Sequence, residues 1–110
     1  MDISVRSEQG FSVVAVSGRL DAGTAQEFEH NCAQLIDNGG RRFVLDLSAL
    51  EYVSSAGLRS VLTIAKKLKV AGGSLVLCGL SGFVRDVFAI AGFDNFLSVY
   101  DTVADAIAQG

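Results

Sequence analysis

Two adjacent hydroxyls, Ser54 and Ser55, stand just before Ala56-Gly57-Leu58 and the start of a helical pattern. An apolar run, Phe43 to Leu47, ends a few residues upstream. A strand therefore stops, a short loop turns, and a helix begins with two serines at its first positions. Backbone N–H groups at a helix amino end lack partners and carry the positive end of the helix dipole. A serine there can cap the helix, or it can carry a phosphate that the same N–H groups tolerate. Spacing alone leaves both roles open, with capping the commoner.

Chemistry that the chain would perform by itself is poorly supported. A hydrolase elbow needs G-x-S-x-G with a histidine later in the chain. Ser54 and Ser55 lack the flanking glycines, and the only histidine, His30, comes earlier. His30 reads as a solvated helix residue. A phosphate-cradling loop needs a glycine-lysine pair, and none occurs. Cys32 and Cys78 lie far apart without a C-x-x-C pair, so they read as small core residues and not as zinc ligands or a disulfide. Asp46 interrupts an apolar run and is expected to satisfy N–H groups of the next loop. No metal, no cofactor and no enzymatic activity are expected.

Composition bounds the class. The chain has 110 residues, 50% of them apolar and 19% charged, which suits one globular domain spanning residues 1–110. A net charge of −3 argues against a general nucleic-acid binder. No apolar run approaches the length of a membrane span, and the start has no basic-then-apolar layout. A cytoplasmic protein without membrane insertion is expected, a monomer in the simplest case.

The elements that must position the serines follow from periodicity. Ile3 and Val5 alternate with polar residues as in an edge strand, and Phe11 to Val16 is nearly continuous apolar sequence. Glu8-Gln9-Gly10 joins them as an antiparallel hairpin. Ser17 to Asp21 then opens a loop. Asp21 or Thr24 is placed to cap a helix, Thr24 with Glu27 in capping-box spacing. Ala25, Phe28, Cys32, Leu35 and Ile36 form that helix's inward face. After Phe43–Leu47, residues 48–53 read as a connection. A second helix runs from about Ser55 to Ala71 on Leu58, Val61, Leu62, Ala65 and Leu68. Its last basic residues complement the dipole. Ser74 to Cys78 is a further strand, followed by a short helix with Phe83, Val87, Phe88, Ile90 and Ala91 inward. A strand over Phe96 to Tyr100 and a terminal helix capped by Asp101-Thr102, with Val103, Ala104 and Ile107 inward, close the chain. The alternation predicts an α/β mixed sheet, an N-terminal antiparallel hairpin followed by parallel pairings, layered with α-helices. Its loops at the strands' carboxyl ends bring together Gly18–Thr24, Ser54–Arg59 and Gly79–Gly82.

Four segments in this order give the chain a resemblance to the STAS domain, in particular to the stand-alone bacterial anti-sigma-factor antagonists. They are Gly18-Arg19-Leu20-Asp21; Phe43-Val44-Leu45-Asp46-Leu47-Ser48 with Val53-Ser54-Ser55-Ala56-Gly57-Leu58; Gly72-Gly73-Ser74-Leu75; and Val84-Arg85-Asp86-Val87-Phe88-Ala89-Ile90-Ala91-Gly92-Phe93. The family loop reads Asp-Ser-Ser/Thr-Gly-Leu, and its first hydroxyl takes phosphate. Alignment on Gly57-Leu58 puts the acceptor on Ser55, with Ser54 in place of the family aspartate and as the rival acceptor, and Ala56 in place of the second hydroxyl. The resemblance implies a non-enzymatic regulator. Unphosphorylated, it binds an anti-sigma factor with serine-kinase activity and so frees a sigma factor. Phosphorylation of Ser55 releases it, and a serine phosphatase resets it. ATP enters only through the kinase. Asp21, Thr24, Ser54, Ala56, Gly57 and Arg59 form the expected contact surface. A STAS subunit of a transporter or lipid-transport assembly, acting by binding alone, is the alternative; a small-ligand or nucleotide-binding domain or a phosphotransferase is a more distant one.

Overall fold

The computed structural model describes residues 1–110. Strands β1 (Asp2–Glu8) and β2 (Phe11–Leu20) form the expected antiparallel hairpin. Helix α1 (Ala25–Asp37) leads to β3 (Arg42–Asp46), a short strand β4 (Leu50–Val53) and helix α2 (Ser55–Val70). Strand β5 (Ser74–Cys78), helix α3 (Gly82–Ile90), a 3-10 turn (Phe93–Asn95), strand β6 (Val99–Tyr100) and helix α4 (Val103–Gln109) complete the chain. The strands make one mixed sheet in the order β1-β2-β3-β5-β6, with β2, β3, β5 and β6 parallel.

Residues 48–53 are not the plain connection that the sequence predicts. Strand β2 is longer than its apolar run and, beyond its hairpin with β1, serves two parallel partners. Ser12–Ala15 pairs with β3, and Gly18–Leu20 pairs in parallel with Leu50–Val53 of β4. The register shifts between Gly18 and Arg19. Gly18 takes φ +82°, a left-handed value that suits glycine. This irregularity lets β2 bend from one partner to the next.

Helices α1, α2 and α3 supply the larger core. Phe28, Cys32 and Ile36 of α1, Val61, Ile64 and Leu68 of α2, and Val84 and Phe88 of α3 meet Val14, Val16, Leu20, Leu45 and Leu77 from the strands. On the opposite face a smaller cluster joins Phe11, Val13, Val44, Val76 and Cys78 to Ala106 of α4. Three inward faces, those of α2, α3 and α4, differ from expectation. In α2, Ile64 and Ser60 are fully buried, while Leu58, Leu62 and Ala65 are only partly so. In α3 the buried pair is Val84 and Phe88, one helical turn apart, and Phe83 and Ile90 face outward. The closing strand is only Val99–Tyr100, with Phe96 exposed. In α4, Ala106 is buried and Ala104 exposed; Thr102 Oγ1 accepts from Asp105 N at 3.1 Å as its cap.

Burial sets the chemistry of both cysteines. Cys32 is raised from 9.0 to about 12 by burial, and Cys78 is raised to about 12 by burial and then by the Asp46 charge. A raised acid stays protonated in the folded chain while the unfolded chain ionises. Stability is therefore expected to fall as pH rises from about 9 towards 12, read as a declining urea midpoint. Both thiols should resist iodoacetamide at mildly alkaline pH in the native protein and react in urea; rapid native labelling of either would contradict this burial.

Candidate functional site

The site is assembled where the carboxyl ends of β2 and β4 meet the first turn of α2. Ser54 has extended backbone (φ −99°, ψ 176°) and is the N-cap of α2. Its Oγ accepts from Gly57 N at 3.3 Å, its N–H donates to Leu20 O at 3.0 Å, and its carbonyl accepts from Leu58 N at 2.9 Å. The capping role that the sequence left open between two serines thus falls on Ser54. Ser55 is the first helical residue, is exposed, and makes no side-chain hydrogen bond.

Gly57 explains why the turn lies so close to the sheet. A Cβ at this position would collide with the Leu20 carbonyl oxygen and lie 2.9 Å from the Leu20 carbonyl carbon and 3.0 Å from Val53 Cγ2. Only hydrogen fits there. Gly57, expected on the contact surface, is buried and fixes the path of the helix beneath that surface. One turn on, the fully buried Ser60 satisfies its hydroxyl by donating to Gly57 O at 2.6 Å. Ala56 is half-buried, and Arg59 is exposed one turn after Ser55.

Asp21 and Thr24 sit in the neighbouring β2–α1 loop and are occupied by it. Thr24 Oγ1 accepts from Asp21 N and donates to Arg19 O, both at 2.9 Å. Asp21 Oδ1 accepts from Gly23 N at 3.0 Å. Thr24 is the N-cap residue of α1, yet its hydroxyl makes no capping bond to that helix. The capping box predicted with Glu27 is absent because the Thr24 hydroxyl is turned back to close its own loop. Asp46 behaves as expected, Oδ1 accepting from Ser48 N at 3.1 Å.

The sequence reading missed a surface cluster beside the serines. The Arg19 guanidinium lies 4.1 Å from the Tyr52 ring centroid and pairs with Asp21 at 3.4 Å. The Tyr52 ring stacks on Phe83 at 5.7 Å and 8° between planes. The parallel register that sets Arg19 opposite Tyr52 brings these residues together, and β4 was the element not foreseen. His30 is exposed on α1, outside these contacts. No group of three His, Cys, Asp or Glu residues is arranged to hold a metal, and no helix is long and apolar enough to cross a membrane.

A family model described as the STAS domain matches residues 2–106. The chain is 40% identical over 108 residues to BtrV of Bordetella bronchiseptica, whose name places it among anti-sigma factor antagonists; the match covers 98% of this chain and 93% of BtrV. The crystal structure of an anti-sigma factor antagonist from Mycobacterium paratuberculosis superposes with a TM-score of 0.88 at 29% identity, covering 97% of this chain and 91% of that one. The Bacillus cell fate determinant SpoIIAA in its phosphorylated form shares the fold, with a TM-score of 0.77 at 20% identity over 98% of each chain.

The two serines should separate by mutation. Ser54→Ala removes the cap and is expected to cost about 1 kcal/mol, whereas Ser55→Ala should stay within about 0.5 kcal/mol of wild type; urea unfolding measures both. Gly57→Ala places a methyl against the Leu20 carbonyl. The usual helical gain of about 1 kcal/mol for alanine over glycine should be reversed into a net loss of about 1–3 kcal/mol. A Gly57→Ala protein as stable as wild type would refute the close approach.

Proposed function

The chain belongs to the STAS domain family, and from that premise we propose that it is an anti-sigma factor antagonist, a non-enzymatic cytoplasmic regulator made of one STAS domain over residues 1–110. In this reading it binds an anti-sigma factor that is also a serine kinase. The complex withholds that factor from its sigma factor, phosphorylation of Ser55 ends the complex, and a serine phosphatase restores it.

The observation that carries this reading is the difference between neighbours. Ser54 is engaged with the helix backbone, so a phosphate on its Oγ would cost the cap. Ser55 is exposed and unengaged at the positive end of a helix. A phosphate there adds about −1.5 to −2 charges, which the helix amino end tolerates. The same charge is poorly tolerated by a carboxylate packed over the loop. Two like unit charges about 4 Å apart near a protein surface repel by roughly 4 kcal/mol, close to a thousandfold in affinity. The fold survives and the interface does not. Ser54 in the position of the family aspartate leaves the loop without a fixed negative charge before the phosphate arrives. The Arg19–Tyr52–Phe83 cluster borders the same loop and offers the rigid aromatic and guanidinium surface on which interface energy concentrates.

Incubation with ATP and the purified anti-sigma kinase should incorporate one phosphate, mapped by mass spectrometry to Ser55. The chain alone should incorporate none. Ser55→Ala should bind the kinase but remain unphosphorylated, and Ser55→Asp should bind at least about tenfold more weakly. Phosphate on Ser54, or equal binding by Ser55→Asp and wild type, would sink the reading.

A further inference from the structure

The charges of this chain are segregated. It carries nine basic and twelve acidic residues, net −3. Helix α2 alone carries Arg59, Lys66, Lys67 and Lys69, all three lysines of the protein among them, and no acidic residue. The rest of the chain is left with five basic and twelve acidic residues, net −7. All four cations are exposed. Neither of the two ion pairs in the structure involves α2.

Helix stability does not account for this. The dipole favours Lys67 and Lys69, which lie in the last turn, but its influence fades within that turn. Arg59 and Lys66 lie beyond its reach. An exposed helix ordinarily intersperses signs, because like charges three or four residues apart cost a few tenths of a kcal/mol. Here Lys66 and Lys69 repel at that spacing with no acid to relieve them. At about 100° per residue, Ser55, Arg59, Lys66, Lys69 and Val70 fall in one stripe about 100° wide and about 22 Å long, with the partly buried Leu62 along its middle and the exposed Lys67 flanking it. Val70 is 91% exposed at its far end. The uncovered basic stripe therefore begins at the phosphate-acceptor position itself.

We propose that the exposed face of α2 from Ser55 to Val70 is an electrostatic docking stripe for an acidic surface of the kinase partner, and that phosphate on Ser55 weakens docking along the whole stripe. The inference rests on the preceding reading of Ser55. A protein partner is favoured over an anionic membrane or a nucleic acid because the remaining chain, at net −7, repels an extended polyanion. A localised acidic patch feels the stripe alone. Phosphorylation lowers the charge of α2 from +4 to about +2 and places the new anion four residues from Arg59, in reach of that guanidinium. Part of the switch is then loss of attraction over a Debye length, in addition to direct repulsion at the loop.

The test compares wild type, Lys66→Gln/Lys67→Gln/Lys69→Gln, Ser55→Asp and the combined variant for association with the purified kinase at about 50 mM and about 500 mM NaCl. Neutralising the lysines is expected to slow association about tenfold at low salt, to leave dissociation within about twofold, and to lose its effect at high salt. Unchanged thermal unfolding of the triple variant excludes a folding effect. Equal association rates for wild type and triple variant at low salt would overturn the docking stripe while leaving the Ser55 reading intact. Slow association of the triple variant together with full binding by Ser55→Asp would retain the stripe and overturn the Ser55 reading. Absence of any wild-type binding overturns both. Phosphatidylglycerol vesicles added as a second probe should not bind; lysine-dependent binding to them would overturn the choice of a protein partner.

Discussion

The junction over Leu20 is the constraint on which the functional surface depends. Its carbonyl accepts from Ser54 N and lies directly beneath Gly57. One backbone oxygen thus fixes both the cap and the first turn of α2. Because Gly57 has no side chain, the helix can descend onto the end of β2 without a gap. Ser60 then fills the buried space below, donating to the Gly57 carbonyl. A larger residue at 57 would lift the helix start and shift Ser54 and Ser55 together. The exposed hydroxyl is therefore positioned by a buried contact, and its own side chain contributes little to holding it there.

The remaining geometry follows from how β2 is divided. Its first half is an ordinary interior strand between β1 and β3, and its second half departs at Gly18 to pair with β4. That departure carries Arg19 to Tyr52 and Leu20 to Val53, and Tyr52 in turn meets Phe83 of α3. Three elements distant in sequence converge beside one serine. The Asp21–Thr24 loop closes on itself next to them, so this surface is held in place by its own hydrogen bonds.

The parts of this arrangement that are encoded locally were legible. The hairpin, the helix starting at Ser55, the Thr102 cap and the buried cysteines each rest on a pattern within about a dozen residues. The parts that depend on distant pairing were not. Leu50-Glu51-Tyr52-Val53 is four residues long and shows no decisive alternation, so only its ladder with β2 makes it a strand. The inward face of α3 was misread because Phe83 and Ile90 are as apolar as Val84 and Phe88, and an aromatic partner at Tyr52 keeps Phe83 at the surface. Thr24 has the spacing of a capping box, but a competing acceptor at Arg19 O takes its hydroxyl. The division of labour between Ser54 and Ser55 was open in the sequence for a similar reason, since either can cap and only the Leu20 contact decides.

On the proposed reading, phosphate at Ser55 must exert its effect outside the fold itself. Every hydrogen bond of the α2 start is made by backbone groups, by the Ser54 hydroxyl or by the buried Ser60, and the Ser55 hydroxyl takes part in none of them. Charge added at Ser55 therefore leaves the core undisturbed and changes only the field that α2 presents. On a helix that already concentrates four cations in an otherwise acidic protein, that field is what the proposed partner would sense. In the proposed switch, the packing of Gly57 would hold the Ser55 hydroxyl in place and the charge of α2 would convert its phosphorylation into a change felt across the length of the helix.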